Sequence, residues 1–534
     1  MGPLRRSAIF IELITFFLVL FATCGAVPAA AQMSVTTYHY DNFRTGWNQK
    51  ETALTPATVA SSSFGLLATV TLDEQVDAQP LVVPNVTITA GKFQGKRAVA
   101  YVVTENNTVY AIGAGGTVVL LTRNLGKPVY RPLTCIANGP YVGINSTPVI
   151  DVPNNTLYVI AYVQEAASRQ YYLHALDMGN LTDKVPPRVV GASHTLTDGT
   201  SFTFNATYER QRPGLLLANG NVYAGFGSFC DMAPDLSRGW VLGWNAASLA
   251  PLPANQVLDT QASSPNTYFL SSIWMSGFAL TADATGNVLF VTGNSDAVGT
   301  TYDGISNLQE SVVKVSPDLT TVLDVFTPAN QAQLDAIDAD FGSGGVLVLP
   351  KQLGTVPHMA VAAGKSGKLF LMNEDKLGGF SPTKNNVLGA FTIGPCFCGP
   401  SYYVGADNIP RIVSSGGRIA SVWKLQTSPK PLLTAVTHSP ALVSGQSPGF
   451  FTTVSSNGQT NAIIWAVSHP ASVTSNGIFL YAFDPSVSGT MKQLFQGTAG
   501  SWPNFKANAN LVPVVANGRV YVASNKQLQI FGLK

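Results

Sequence analysis

A strand–turn–strand unit recurs along this chain, and that repetition limits the possible folds more than any single motif. The clearest copy spans residues 273–294, IWMSGFALTADATGNVLFVTGN. It reads as an aromatic-led apolar strand, an Asp283-Ala284-Thr285-Gly286-Asn287 turn and a second apolar strand ending in Thr292-Gly293-Asn294. Alternating apolar strands around a Gly-Asn turn predict an antiparallel hairpin. The shared pattern is a Pro-led apolar strand, a Leu/Val-Tyr-Val strand and a strand of Tyr-Ala-Phe-Asp type, as at 481–484. Pro at the first position of a strand forfeits no ladder hydrogen bond. Tandem units of this kind build rings or solenoids.

Gln79-Pro80-Leu81 opens the first copy and Leu511–Val515 the eighth. Pro80 and Pro513 stand seven steps apart, a mean of about 62 residues, enough for a four-stranded blade with its loops. The expected fold is all-β: a single eight-bladed β-propeller of four-stranded antiparallel blades over residues 80–534. Seven blades is the alternative, because the sixth copy (401–404, 411–414, 418–425) is the least regular. Residues 32–79 supply a polar-aromatic leading segment, Tyr38–Asn48, and a strand near 64–72 expected to close the ring against the last blade. His39, Asp41 and Arg44 are candidates for pinning that segment across the ring. Charged residues are only 11% of the chain against about 25% in a typical soluble domain, so Ser, Thr, Asn and Gln are expected to cover the surface.

Arg5 and Arg6 precede an apolar run from Ala8 to Ala22, and Ala29-Ala30-Ala31 offers a small-residue cleavage site before Gln32. Residues 1–31 are therefore expected to be a signal peptide and the protein exported, to the periplasm or outside the cell. A retained anchor is the competing reading, made costly by Glu12 inside a short run. Without this leader the chain carries 29 basic against 28 acidic residues, a net of +1. That balance recommends neither nucleic acid nor an anionic membrane as partner. The mature chain keeps Cys135, Cys230, Cys396 and Cys398. Disulfides suit an exported protein, but spacing does not fix their pairing, and buried free thiols stay open.

The repeated strands, with ends such as Leu173-His174-Ala175-Leu176-Asp177, resemble the quinoprotein alcohol dehydrogenase-like propeller superfamily, which binds pyrroloquinoline quinone. Exported bacterial propellers of inferred function are the nearest in kind. The resemblance covers nearly the whole mature chain and implies site residues position by position. Cys230-Asp231 followed by Arg238-Gly239-Trp240 resembles the segment that supplies a calcium carboxylate, which puts Asp231 on the metal. Trp274 matches the tryptophan lying beneath the quinone. Gly293-Asn294 matches the Gly-Asn whose amide oxygen binds calcium. Asp340, with Asp338 as the alternative, stands where the family has its catalytic base. Lys365, in Lys365-Ser366-Gly367, stands where a basic residue contacts the quinone oxygens.

A carboxylate and an amide oxygen suit calcium, which takes oxygen ligands. Each residue also has a plain structural reading. Asp231, Asn294 and Lys365 are ordinary turn residues, and Trp274 could pack blade against blade. The chain departs from the family in lacking its adjacent Cys-Cys pair and most of its blade signature. It also has Lys where bidentate Arg is usual. Two functions are thereby expected to compete. One is a calcium- and quinone-dependent oxidoreductase acting on an alcohol or sugar. The other is a non-catalytic secreted propeller that binds a protein or glycan. The sequence holds no HExxH, CxxCH or GxSxG motif, which removes support for zinc proteolysis, c-type haem and hydrolase chemistry.

Overall fold

The computed structural model describes residues 1–2, 32–135, 139–263, 268–275, 277–295, 302–445, 449–504 and 510–534. The expected signal peptide lies outside the described residues apart from Met1 and Gly2. Eight small sheets form a ring, an eight-bladed β-propeller within the unit Gln32–Lys534. The innermost strands are Leu81–Ile88, Val149–Asp151, Leu216–Ala218, Thr281–Ala282, Val346–Val348, Ser401–Val404, Thr452–Asn457 and Val514–Ala516. Most of their residues are buried, and Val or Leu leads in the first, third, fifth and eighth, as suits strands packed in a core. No helix among the described residues is long and apolar enough to cross a membrane.

The ring closes as the sequence predicts. Phe64–Gln75 pairs antiparallel with the last strand, Phe64 opposite Leu533 and Val70 opposite Leu528. A blade built from both ends of the described chain ties the ring shut at the seam. The eighth blade ends in a hairpin within 519–533: left-handed backbone at Lys526 (φ 56°) folds the chain back and sets Gly532 beside Gly518 and Arg519. Two local readings are corrected. The sixth blade is a regular sheet, 401–404, 410–414, 421–426 and 432–438, so the count is eight. The aromatic-led strand expected from Ile273 is confined to Thr281–Ala282, because left-handed backbone at Ser271 (φ 49°) and Met275 (φ 30°) breaks the extended run before it.

The leading segment does more than pin. Between residues 35 and 46 it bonds to all eight blades in turn. Val35 exchanges backbone hydrogen bonds with Val82, and Ile150 N–H donates to Thr36 O at 2.8 Å. The Arg44 guanidinium donates to Leu215 O at 3.4 Å, and Ala282 N–H to Asn42 O at 2.9 Å. Val348, Tyr402 and Val454 donate to Phe43, Thr45 and Gly46 carbonyls at 3.1, 2.7 and 2.8 Å. Val515 N–H donates to Tyr40 Oη at 2.8 Å. Arg44 is wholly buried and also donates to Leu280 O, Tyr38 O, Asp41 O and Thr37 Oγ1. Residues 35–46 thus fill the channel along the inner strands.

Candidate functional site

Five polar or aromatic positions that precede an inner strand, or follow the next strand outward, converge on one cavity of about 260 Å³. Asp231, Trp274, Asp340 and Lys365 line it, together with Arg212, Cys230, Asp338, Ser343 and Phe397. Asn294 joins through hydrogen bonds. Its backbone N–H donates to Asp340 Oδ1 at 3.0 Å, and its side-chain NH₂ stands 3.5 Å from Asp231 Oδ2. All five residues singled out in the sequence are therefore brought together, from three successive blades.

Local structure explains each placement. Asp231 follows the strand Asn221–Ser228, and it and Cys230 both take left-handed backbone (φ 53° and 51°). Such backbone is uncommon for side-chain-bearing residues. Here Ser228 Oγ holds it, donating to Asp231 Oδ1 at 2.6 Å and accepting from Asp231 N–H at 3.1 Å. A disulfide from Cys135 to Cys230 fixes the preceding residue. Trp274 sits on the irregular stretch before Thr281, between Ile273 N–H donating to Phe226 O and Met275 N–H donating to Gly342 O. Gly293 is needed for close approach: a Cβ there would come within 2.7 Å of Trp274 Cδ1 and 3.0 Å of Asp340 Oδ1.

Asp340 is buried, and Lys365 Nζ donates to its Oδ2 at 2.5 Å. The same ammonium donates to Asp338 Oδ1 at 3.1 Å and Asp338 O at 3.0 Å. Burial works against the lysine charge, but Asp340 and Asp338 outweigh it and hold its pKa above the usual lysine value. Asp231 is pushed up to about 6, first by burial and then by the negative charges of Asp340 and Asp338, against bonds from Ser228 and Asn294. Glu310, wholly buried behind Asp340, accepts from Phe341 N–H through Oε2. Burial, and then Asp340 and Asp335, keep its carboxyl well above the carboxylate range.

Three buried polar atoms around this cluster have no hydrogen-bond partner among the described residues: Asn294 Oδ1, Glu310 Oε1 and Trp274 Nε1. Buried polar atoms are nearly always paired, so the exceptions need a reason. An amide oxygen without a donor, beside carboxylates repelling one another, is a donor set for an oxygen-seeking cation. Cations also flank the aromatic lining. Arg212 lies 5.5 Å from the Trp274 ring and Lys365 5.4 Å from the Phe397 ring. Burial and the nearby Arg210 charge draw the Arg212 pKa down to about 9.

Arg212, Ser343, Phe397 and Glu310 were missed from the sequence. Arg212 stands just before Pro213 and the third inner strand, a position that could have flagged it. Phe397 sits between two cysteines now joined to each other, Cys396 to Cys398. Nothing in the sequence marks Glu310.

No protein-family model matches the sequence, and no curated protein matches it. The structure is similar to a quinohemoprotein alcohol dehydrogenase from Comamonas testosteroni, at 13% identity and a TM-score of 0.58, over 94% of this chain and 81% of that one. It is also similar to a europium-containing methanol dehydrogenase, at 9% identity and a TM-score of 0.54, over 94% of this chain and 98% of that one. At such identities the likeness is one of fold.

Proposed function

We propose that this protein is an oxidoreductase whose cavity takes calcium and pyrroloquinoline quinone and acts on alcohols or sugars. The observation that carries the reading is Asn294. Its N–H groups face Asp340 and Asp231 while its carbonyl oxygen, buried, has no donor among the described residues. Asp231 and Asn294 are assigned to the metal, Trp274 and Lys365 to the quinone, and Asp340 to the base. Bound there, the quinone supplies hydride acceptance and calcium supplies Lewis acidity.

The remaining work falls to the chain. Each Asp340 oxygen accepts one hydrogen bond, from Asn294 N–H and from Lys365, which fixes the carboxylate plane and leaves lone pairs free. That orientation lets Asp340 take the proton of a substrate hydroxyl placed within hydrogen-bond reach. Lys365, tied also to Asp338 at the exposed rim, holds the charge balance as the proton arrives and offers a path outward. Trp274, nearly buried, presents a flat apolar face and keeps water from it. The basic and apolar leader, residues 1–31, favours export.

The test is reconstitution of purified protein with calcium and the quinone, followed by calorimetry and dye reduction with alcohols and aldoses. Binding of both, with turnover lowered about 10²–10⁴-fold in Asp340→Asn, is expected. Absence of binding at saturating cofactor rejects this reading and leaves the non-catalytic propeller.

A further inference from the structure

The Cys396–Cys398 bridge spans a single residue, and that residue, Phe397, is a wall of the cavity. Both cysteines are buried while Phe397 is half-buried, so the bridge anchors a ring that stands toward open space. The anchoring is tight. Ser343 Oγ lies 3.1 Å from Cys396 O and 3.0 Å from Asp340 O, tying the bridged segment to the turn that Asp340 opens. Gly449 (φ +82°) packs against both cysteines: a Cβ there would meet Cys396 Cα and Cys398 Cβ at 3.1 Å. A Cβ on Gly344 would meet Cys398 O at 2.8 Å. Lys365 approaches the face of the Phe397 ring at 5.4 Å, within cation–π range.

The cavity has little room to spare. Its 260 Å³ falls below the ~300–1,000 Å³ of pockets that enclose a drug-sized ligand. On the oxidoreductase reading, a fused-ring quinone and its substrate must share that space. Asp231, Asp340 and Lys365 are held by hydrogen bonds to one another or to their neighbours, and Trp274 is wedged against Gly293. Phe397 is the large apolar wall whose removal would open volume without breaking that network.

We propose that Phe397, clamped by the Cys396–Cys398 bridge, sets the size limit of the site, so that short-chain alcohols enter and six-membered sugars are refused. This narrows the substrate class and rests on the oxidoreductase reading. The bridge holds the ring in place; freeing the ring should relax the limit without deleting it.

Two measurements on the full chain test this, one of them needing no cofactor. Trp274 emission, taken as the difference between wild type and Trp274→Phe, is titrated with acrylamide and with the bulkier succinimide. Phe397→Ala is expected to raise succinimide quenching of Trp274 at least severalfold relative to acrylamide. Phe397→Leu should stay near wild type, and the Cys396→Ser/Cys398→Ser pair should fall between. No gain in Phe397→Ala overturns the proposal. In quinone-loaded protein, the ethanol-to-glucose ratio of kcat/KM should fall about tenfold in Phe397→Ala, the scale on which apolar pockets discriminate. An unchanged ratio also overturns it. Protein that takes up no quinone, yet separates the two quenchers by the Phe397 side chain, rejects the oxidoreductase reading while upholding the size limit.

Discussion

Residues 35–46 and the cavity are built on the same ring of inner strands, and they differ in how their charged groups are paired. In the channel-filling segment, Arg44 is wholly buried yet donates to five oxygens drawn from the segment itself and from two blades. In the cavity, Asp231, Asp338 and Asp340 crowd one another, and Asn294 Oδ1, Glu310 Oε1 and Trp274 Nε1 have no partner among the described residues. Buried polar groups that are fully paired rigidify a fold, whereas partly paired ones cost stability. Arg44 therefore carries stability, although Tyr38 Oη and His39 Nε2 beside it lack a partner among the described residues, whereas the crowded acids of the cavity cost it.

The sharpest way to break this comparison is Arg44→Ala. It removes a buried guanidinium and strips the Leu280 and Leu215 carbonyls of a donor. A loss of about 3–5 kcal/mol is expected in denaturant unfolding, the cost of breaking a buried charged network on one side. A loss under about 1 kcal/mol would mean that the segment is not what secures the ring. Next in size is Gly293→Ala, whose methyl must push Trp274 or Asp340 aside. It should cost about 1–3 kcal/mol, as overpacking does, and abolish calcium binding in calorimetry.

Asp231→Asn should invert the pattern. It removes one of the crowded acids, so the thermal midpoint should hold or rise slightly while calcium affinity falls about 10–100-fold. A lowered midpoint with intact calcium binding would make Asp231 a structural turn residue instead.

The smallest effect concerns pH. Burial pushes Asp259 up to about 7, against bonds from Gln261 N–H and Ser295 and the charge of Arg238. The folded state thus holds a proton there that the unfolded chain has released. The corresponding stability is fully present below the unfolded carboxyl range and is lost as pH rises through about 7. His39, lowered to about 3 mainly by burial, works in the opposite sense but only below about 6.5. Between pH 6.5 and 8 the thermal midpoint should therefore fall, and Asp259→Asn should flatten that slope. A midpoint that climbs over the same interval in wild type would contradict the assignment.

Much of this was legible in the chain itself. The Pro-led starts at Pro80 and Pro513 and the apolar strands around turns such as Asp283–Asn287 are local signals, and they carried the blade count and the closing strand. Asp231, Trp274, Asn294, Asp340 and Lys365 could be singled out because each stands in a short motif matching the family that the chain resembles. Their companions could not. Arg212, Glu310 and Phe397 lie beside them only after the blades have packed, and Asn294 is 63 residues from Asp231 and 46 from Asp340.

The misread start at Ile273 has the same origin. Its apolar composition suits a strand, but left-handed backbone at Ser271 and Met275 breaks the extended run on either side of Trp274. Composition and period thus determined the strands and their eightfold recurrence, because hydrogen bonding between neighbours in a blade acts over a few residues. The pairing of Cys135 with Cys230, the filled channel and the shared cavity were decided by closure of the ring, because they join segments whose separation in sequence gives no local force between them.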